Sequence, residues 1–326
     1  MSVVLYHVDF IAKGAFGVDI FFVISGFIIC YVTACDPSDF LPKRLIRVVP
    51  LYWAGTLGVF LLAVIAPRLL QTGTTSPEGL LKSLLFIPYE KEPGRGLYPI
   101  LFLGWTLNYE MFFYGLFALA LRVRRLRAPL AAGTLIAILV AAGRAIDIDS
   151  ALWRFYTSPM LLEFAYGIGI YCLWARYRHL HTNIGAPLIL AIAALGLLCM
   201  SLSGNPESEN RFLLWGLPSA AVVAAVLAMQ DRLRFPMALV LVGDASYSLY
   251  LFHPYVLKAI EKTISPMAGF SPRSLFAMFI FICVSLLMAL LIYRYFERPA
   301  TSRLRRWVLR SGRKPVLAGI AAPNQT

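Results

Sequence analysis

Charged residues are scarce in this chain. Asp, Glu, Lys and Arg make up 14% of its 326 residues, whereas about a quarter of a soluble domain is charged. Hydrophobic residues make up 59% of the chain, and they fall in runs of about 18 to 22 residues, each long enough to cross a bilayer as a helix. This pattern excludes a soluble enzyme and predicts an integral membrane protein with little soluble mass.

Several motifs of common enzyme chemistry are also missing. The sequence has no glycine-rich phosphate loop, no G-x-S-x-G elbow and no cluster of His and Cys at metal-ligand spacing. Its five cysteines form no C-x-x-C pair and lie in or beside apolar runs, which is typical of small buried hydrophobic residues. We therefore expect no metal site and no permanently bound cofactor.

The net charge of +13 is distributed in short clusters between the apolar runs. Such clusters follow the positive-inside rule, so they favour cytoplasmic loops over a nucleic-acid-binding surface. If Lys43, Arg44 and Arg47 are cytoplasmic, alternation of the runs places four further basic groups on the same side. These groups are Arg122–Arg127, Arg176 with Arg178, Arg232 with Arg234, and the tail from Arg294.

The apolar runs predict an all-α fold, a polytopic transmembrane bundle of about ten helices. We expect residues 1–300 to form the membrane domain and residues 301–326 a basic, disordered cytoplasmic tail. The first run has only about 11 residues before Lys13, too few to span the membrane, so we interpret it as an N-terminally truncated helix with Met1 internal. Leu80–Pro88 is predicted to be an interfacial or re-entrant helix on the outer side. The runs cover residues 1–11, 17–33, 48–66, 104–121, 128–146, 157–175, 185–203, 212–229, 236–258 and 274–296.

Five ionisable residues fall near the predicted outer ends of five different helices, within about 10 Å of the outer face. A single ionisable side chain is costly in lipid, so their common depth predicts a shared polar cavity. The five residues are His7, Asp19, Glu110, Glu163 and His253.

Three of these positions suggest acid–base chemistry. His7 with Asp19 or Glu110 is a candidate general-base pair, because a nearby carboxylate raises the basicity of a histidine. Structural alternatives remain open: an interfacial His7, an Asp19 that only complements the helix dipole, and hydrogen bonds between helices for Glu163 and His253.

Arg44 and Arg47 are three residues apart and therefore share one face of a helix at the cytoplasmic edge. Arginine presents a planar fork that suits phosphate. The alternative for this pair is plain topological anchoring.

Six stretches of the sequence together resemble the acyltransferase 3 family of integral membrane acyltransferases, in its exopolysaccharide-modifying branch. They occur in the family's order and extend over the whole chain. Relatives carry a further basic, apolar half-helix before the first stretch, which this sequence lacks. The stretches are VVLYHVDF (3–10), GVDIFFVISGFII (17–29), KRLIRVVPLYW (43–53), WTLNYEMFFYGLFAL (105–119), VGDASYSLYLFHPYV (242–256) and YRYFERP (293–299).

The resemblance implies an O-acyltransferase of the bacterial inner membrane. It would move an acyl group, usually acetyl, from cytoplasmic acyl-CoA to a hydroxyl of an extracytoplasmic or lipid-linked glycan. It also implies that His7, Asp19 and Glu110 are catalytic and that Arg44 and Arg47 bind the CoA phosphates. We expect the arginines to lie about 20 Å or more from His7 along the membrane normal. A transporter or flippase for a glycan or small solute is the main alternative function, since intramembrane His and Glu also form proton relays.

Overall fold

The computed structural model describes residues 14–66, 76–90, 96–123, 127–177, 185–204, 206, 208–232, 234–263 and 275–311. Over these ranges the chain is helical with short connections and contains no strand, which confirms the all-α prediction. His7 and the rest of the first predicted run lie outside the described residues.

Each of the other predicted apolar runs overlaps one or more helices. Four helices precede residue 130: α1 (Gly17–Cys35), α2 (Phe40–Ile65), α3 (Pro77–Leu84) and α4 (Gly104–Val123). The middle of the chain forms α5 (Ala128–Ala145), α6 (Ala151–Tyr156), α7 (Leu162–Tyr177) and α8 (Ala186–Leu202). The remainder forms α9 (Ser208–Arg211), α10 (Leu217–Ala228), α11 (Met237–Asp244), α12 (Ser246–Thr263), α13 (Leu275–Ile292) and α14 (Arg298–Ser311).

Two π-helical turns join pairs of these helices without a break. Phe212–Gly216 connects α9 to α10, and Tyr293–Glu297 connects α13 to α14. Single π turns inside longer helices are frequent at functional sites. Both turns border the polar clusters described below.

Five of the described helical segments are long and apolar enough to cross a membrane, which supports a multi-pass membrane protein. They are Gly17–Cys35, Phe40–Ile65, Ala128–Ala145, Glu209–Ala228 and Phe276–Leu309. Other helices, such as Ala186–Leu202, are apolar but shorter. The figure of about ten membrane-crossing helices in the whole chain stays a prediction.

The helices α1 and α7 pack closely against each other at a pair of glycines. A Cβ atom on Gly26 would collide with the carbonyl oxygen of Phe164, and one on Gly167 would collide with that of Val23. Small residues let membrane helices pack backbone to backbone. Beside this crossing, the rings of Phe22 and Phe164 stack with centroids 4.6 Å apart.

A short polar connection, at the end of the bundle predicted to be cytoplasmic, links α1 to α2. Asp36 accepts hydrogen bonds from Lys43 Nζ at 2.6 Å and from Ser38. These hydrogen bonds, from Lys43 first and Ser38 second, hold the pKa of the Asp36 carboxyl below its ordinary value. The connection therefore fixes the start of α2 at Phe40, four residues before Arg44.

On the predicted outer side, α3 forms hydrogen bonds to α2 and to the segment that precedes α4. Its N-cap Ser76 accepts a hydrogen bond from Gly79 N at 3.0 Å. Ser83 then links two other elements, because its carbonyl accepts from Tyr52 Oη and its hydroxyl accepts from Ile100 N, both at 3.0 Å. The helix begins at Pro77 rather than at the predicted Leu80 and ends at Leu84.

The prediction of a disordered tail from residue 301 is wrong as far as residue 311, because Arg298–Ser311 is a helix. This helix extends a helix that is already nucleated, and Arg and Leu favour helical structure. It packs against α2. Residues 312–326 lie outside the described residues, and the boundary of the membrane domain stays a prediction.

Candidate functional site

A cavity of about 520 Å³ lies between α1, α2, α4 and α12. Its apolar wall is mainly one face of α1. The residues on this face follow one another at the three- and four-residue spacing of a helix: Gly17, Val18, Ile20, Phe21, Ile24, Ser25, Ile28 and Ile29. The other three helices contribute the remaining lining residues, most of which are polar: Arg44, Arg47, Val48, Leu107, Glu110, Tyr114, Ser246, Tyr247, Leu249 and Tyr250.

The arginine pair enters this cavity from α2. Arg44 and Arg47 both line it, as expected from their three-residue spacing. The guanidinium carbon of Arg44 lies 6.0 Å from the ring centroid of Phe40, an arrangement in which an aromatic face supports a cation. The pair therefore presents fixed positive charge to the cavity rather than only to the membrane edge.

Glu110 lies in the same cavity as the arginines. It is buried, and its carboxylate accepts a hydrogen bond from Tyr114, one turn further along α4. Arg47 and Arg44 both interact electrostatically with Glu110. The cavity thus combines a carboxylate, a phenol and two guanidinium groups.

This arrangement corrects the predicted separation of Glu110 from the arginines. The predicted apolar run begins at Val48, and the sequence places Arg44 and Arg47 on a helix face at the cytoplasmic edge. In the structure α2 begins at Phe40, so Arg47 lies about 10 Å along the helix. The predicted distance between the arginines and His7 stays untested.

The prediction that Asp19, Glu110, Glu163 and His253 share one cavity is also wrong, because Asp19 and Glu163 lie together in a different cluster. Of the four, only Glu110 lines the cavity. A common depth along the membrane normal carries no information on the direction in which each side chain points. His7, the fifth residue of that prediction, lies outside the described residues.

Asp19 and Glu163 belong to a second, buried polar cluster with Arg211. Both carboxylates are fully buried. Arg211 pairs with Asp19 through two hydrogen bonds, Nε to Oδ1 at 2.9 Å and Nη2 to Oδ2 at 2.8 Å. Sequence reasoning missed Arg211, although an isolated arginine at the predicted outer start of an apolar run departs from the positive-inside pattern.

His253 is buried within α12 and lies outside the cavity lining. Its Nδ1 is 3.0 Å from the carbonyl oxygen of Leu249 and 2.9 Å from that of Tyr250. Tyr250, by contrast, lines the cavity, and its hydroxyl lies 2.8 Å from Thr106 Oγ1. The helix therefore presents tyrosines rather than this histidine to the cavity.

The wall formed by α12 is fixed by two further contacts. Tyr247 Oη donates to the carbonyl of Val48 at 2.8 Å, and Ser248 Oγ donates to Glu297 at 2.5 Å. Glu297 ends the second π turn, is buried and interacts electrostatically with Arg47. Sequence reasoning assigned this glutamate no role, although an acid among aromatic residues at the end of an apolar run was a usable signal.

Among the described residues, no group of three or more His, Cys, Asp and Glu side chains could hold a metal ion. The charged groups of the cavity are instead the two arginines and Glu110. This set can hold an anionic ligand next to a carboxylate capable of proton exchange.

Comparison with known proteins gives two matches that extend over most of the chain. The family model of acyltransferase 3, described as an acyltransferase domain, matches residues 1–294. The exopolysaccharide production protein ExoZ of Rhizobium meliloti (strain 1021) is 35% identical over 318 residues, which covers 94% of this chain and 94% of ExoZ. No solved structure matches the chain.

Proposed function

The chain belongs to the acyltransferase 3 family, and on that premise we propose that it is an acyl-CoA-dependent O-acyltransferase. It transfers an acetyl group from cytoplasmic acetyl-CoA to a hydroxyl of an exopolysaccharide precursor, either extracytoplasmic or linked to lipid. The name of the similar ExoZ protein supports this class of acceptor. The observation that carries the proposal is the cavity in which Arg44 and Arg47 meet Glu110.

The arginines form the donor end of this proposed site. Two guanidinium groups on one helix face suit the phosphates of CoA, because each arginine can bind phosphate oxygens bidentately. They lie on the cytoplasmic half of α2 in the orientation predicted from charge, where acyl-CoA is available. CoA acts here as a co-substrate rather than as a resident cofactor.

The length and the apolar lining of the rest of the cavity support the proposal that it holds an acyl donor. Its wall extends along α1 from Gly17 to Ile29, a distance of about 18 Å at the helical rise per residue. Aliphatic and aromatic side chains dominate that wall, which suits a long, largely uncharged arm and an acetyl group. The thioester would thus lie in the bundle, away from bulk water.

The chemistry follows from these positions. The acceptor oxygen attacks the thioester carbonyl, a new C–O bond forms, the C–S bond breaks, and the hydroxyl proton passes to the thiolate to give the CoA thiol. His7 is our proposed base, and Glu110 is its proposed carboxylate partner. We favour Glu110 over Asp19 for this role because Arg211 occupies both carboxylate oxygens of Asp19.

A transfer assay tests the proposal against the transporter alternative. Membranes containing the protein are incubated with radiolabelled acetyl-CoA and a glycan acceptor, and label in the polysaccharide is measured for wild type, His7→Ala and Arg44→Ala. We expect transfer by wild type and its loss in both variants. Arg122→Ala removes an equal charge from an exposed site near the end of α4 and should leave transfer unchanged. Absence of transfer by wild type, together with movement of the acceptor across the membrane, would favour a transporter.

A further inference from the structure

The carboxylate of Asp19 is completely engaged by one arginine. Nε and Nη2 of Arg211 donate to its two oxygens at 2.9 and 2.8 Å, and Nη2 also donates to the carbonyl of Ala15 at 3.2 Å. Asp19 is fully buried, and the side chain of Arg211 is 15% exposed. Paired, desolvated groups with this fork geometry are strongly directional.

The other side of Arg211 is also fixed. Its guanidinium carbon lies 4.8 Å from the ring centroid of Trp215, and that ring packs edge-on against Phe16 at 6.2 Å. Phe16 and Asp19 lie at the start of α1. Arg211 directly precedes the π turn between α9 and α10, and Trp215 lies within that turn. The arginine therefore connects the start of α1 to a segment about 190 residues later in the chain.

Glu163 completes the cluster beside this ion pair. It is fully buried, and among the residues that the structure describes neither of its carboxyl oxygens has a hydrogen-bond partner. Asp19 and Arg211 act on it electrostatically, and Tyr109 is a further titratable group within electrostatic reach. One guanidinium charge would face two negative charges if both acids were ionised. An ionised carboxylate that is buried without a hydrogen-bond donor is strongly disfavoured. When Glu163 is neutral, the positive charge of Arg211 and the negative charge of Asp19 cancel.

The position of this cluster relative to the cavity suggests its role. Val18 and Ile20, the neighbours of Asp19 in the chain, line the cavity, whereas Asp19 faces the other way. We propose that Arg211 is a positioning residue, which holds the cavity wall at the start of α1 through its buried ion pair with Asp19, with neutral Glu163 beside the pair. Its effect on catalysis rests on the proposed function, but the pairing itself does not.

A thermal unfolding experiment tests the pairing independently of any activity. Asp19→Ala, Arg211→Ala and the double variant are purified in detergent and their melting temperatures compared with wild type. Each single variant leaves one charge buried and unpaired, so both should melt below the double variant. A double variant that melts lower than either single variant, by the sum of their losses, would overturn the pairing.

Glu163→Gln tests the charge assigned to Glu163, because glutamine has the shape of the protonated acid and carries no charge. We expect its melting temperature and transfer rate to equal those of wild type. A transfer rate lowered about tenfold or more, or a clear loss of thermal stability, would show that Glu163 is ionised in the folded protein and would overturn this assignment.

Steady-state kinetics test the positioning role. Arg211→Ala should lower kcat by about ten- to a hundredfold through displacement of the cavity wall, and leave KM for acetyl-CoA within about twofold of wild type. Arg211→Lys should restore part of kcat, since it keeps the charge but not the bidentate geometry. An unchanged kcat, or a rise in KM alone, would overturn the role. If wild type transfers no acyl group, the proposed function fails while the unfolding experiment still decides the pairing.

Discussion

Replacing Gly167 by alanine should separate α1 from α7. The added Cβ would lie 2.7 Å from the backbone nitrogen of Phe27 and 2.9 Å from the Cα of Gly26, and it would also collide with the carbonyl oxygen of Val23. Ordinary contacts begin at 3.4 Å, so the approach to the nitrogen is 0.7 Å too short (3.4 − 2.7). All three obstacles are backbone atoms, and a change of rotamer cannot relieve them.

The cost can be estimated against a matched position two residues away. Overpacking of this kind destabilises a protein by about 1–3 kcal/mol. Gly169 lies on the exposed side of the same helix, and a Cβ there would meet nothing within 4 Å. Gly169→Ala should therefore gain the roughly 0.5–1 kcal/mol by which alanine exceeds glycine in a helix. The two variants should differ by roughly 1.5–4 kcal/mol, the sum of these effects.

Thermal unfolding in detergent, followed by loss of monodisperse protein, measures this difference. We expect Gly167→Ala to melt below wild type and Gly169→Ala at or above it. Because α1 forms one wall of the cavity, Gly167→Ala should also lose acyl transfer. Equal melting temperatures for the two alanine variants would refute the close packing of α1 against α7.

Three further predictions concern the cavity and the connection before α2. Tyr114→Phe removes the hydroxyl that donates a hydrogen bond to buried Glu110. Leaving a buried acceptor without its donor costs about 1–3 kcal/mol, so acyl transfer in the same radiolabel assay should slow by about tenfold or more. Glu297→Gln removes a negative charge that interacts with Arg47, so the arginine should attract the CoA phosphates more strongly. We expect KM for acetyl-CoA to fall a few fold in initial-rate kinetics, about what one screened charge–charge interaction is worth. A raised KM would contradict this. The lowered pKa of Asp36 means that its ionised form stabilises the folded state above the ordinary pKa of 3.8, and that this contribution fades as the pH falls below it. Asp36→Asn should therefore weaken the fall in melting temperature over that acidic range, and an identical fall would contradict the assignment.

The extents of several helices could be predicted from the sequence because apolar runs end where charge or turn residues begin. Residues 128–146 were predicted for α5, which covers Ala128–Ala145, and residues 185–203 for α8, which covers Ala186–Leu202. Both helices start at an Ala-Pro pair, where proline is compatible with the first turn. The all-α prediction follows from the same runs.

The start of α2 could not be predicted in this way. A rule that ends each run at a charged residue excludes Arg44 and Arg47, whereas the helix continues through them because arginine is a good helix former. The pairing of Asp19 with Arg211 was equally inaccessible, since helix rotation and the contact between distant segments depend on tertiary packing. Intramembrane acids did indicate where polar clusters would lie, but not which residues would share one.

Initial-rate kinetics of acyl transfer test the central claim most directly, that one cavity holds the donor at Arg44 and Arg47 and carries out chemistry beside Glu110. Transfer is measured in membranes over a range of acetyl-CoA concentrations for wild type, Arg47→Ala and Glu110→Gln. We predict that Arg47→Ala raises KM for acetyl-CoA by about tenfold with little change in kcat. Glu110→Gln should lower kcat by about a hundredfold with little change in KM. Wild-type kinetics in both variants would contradict the account.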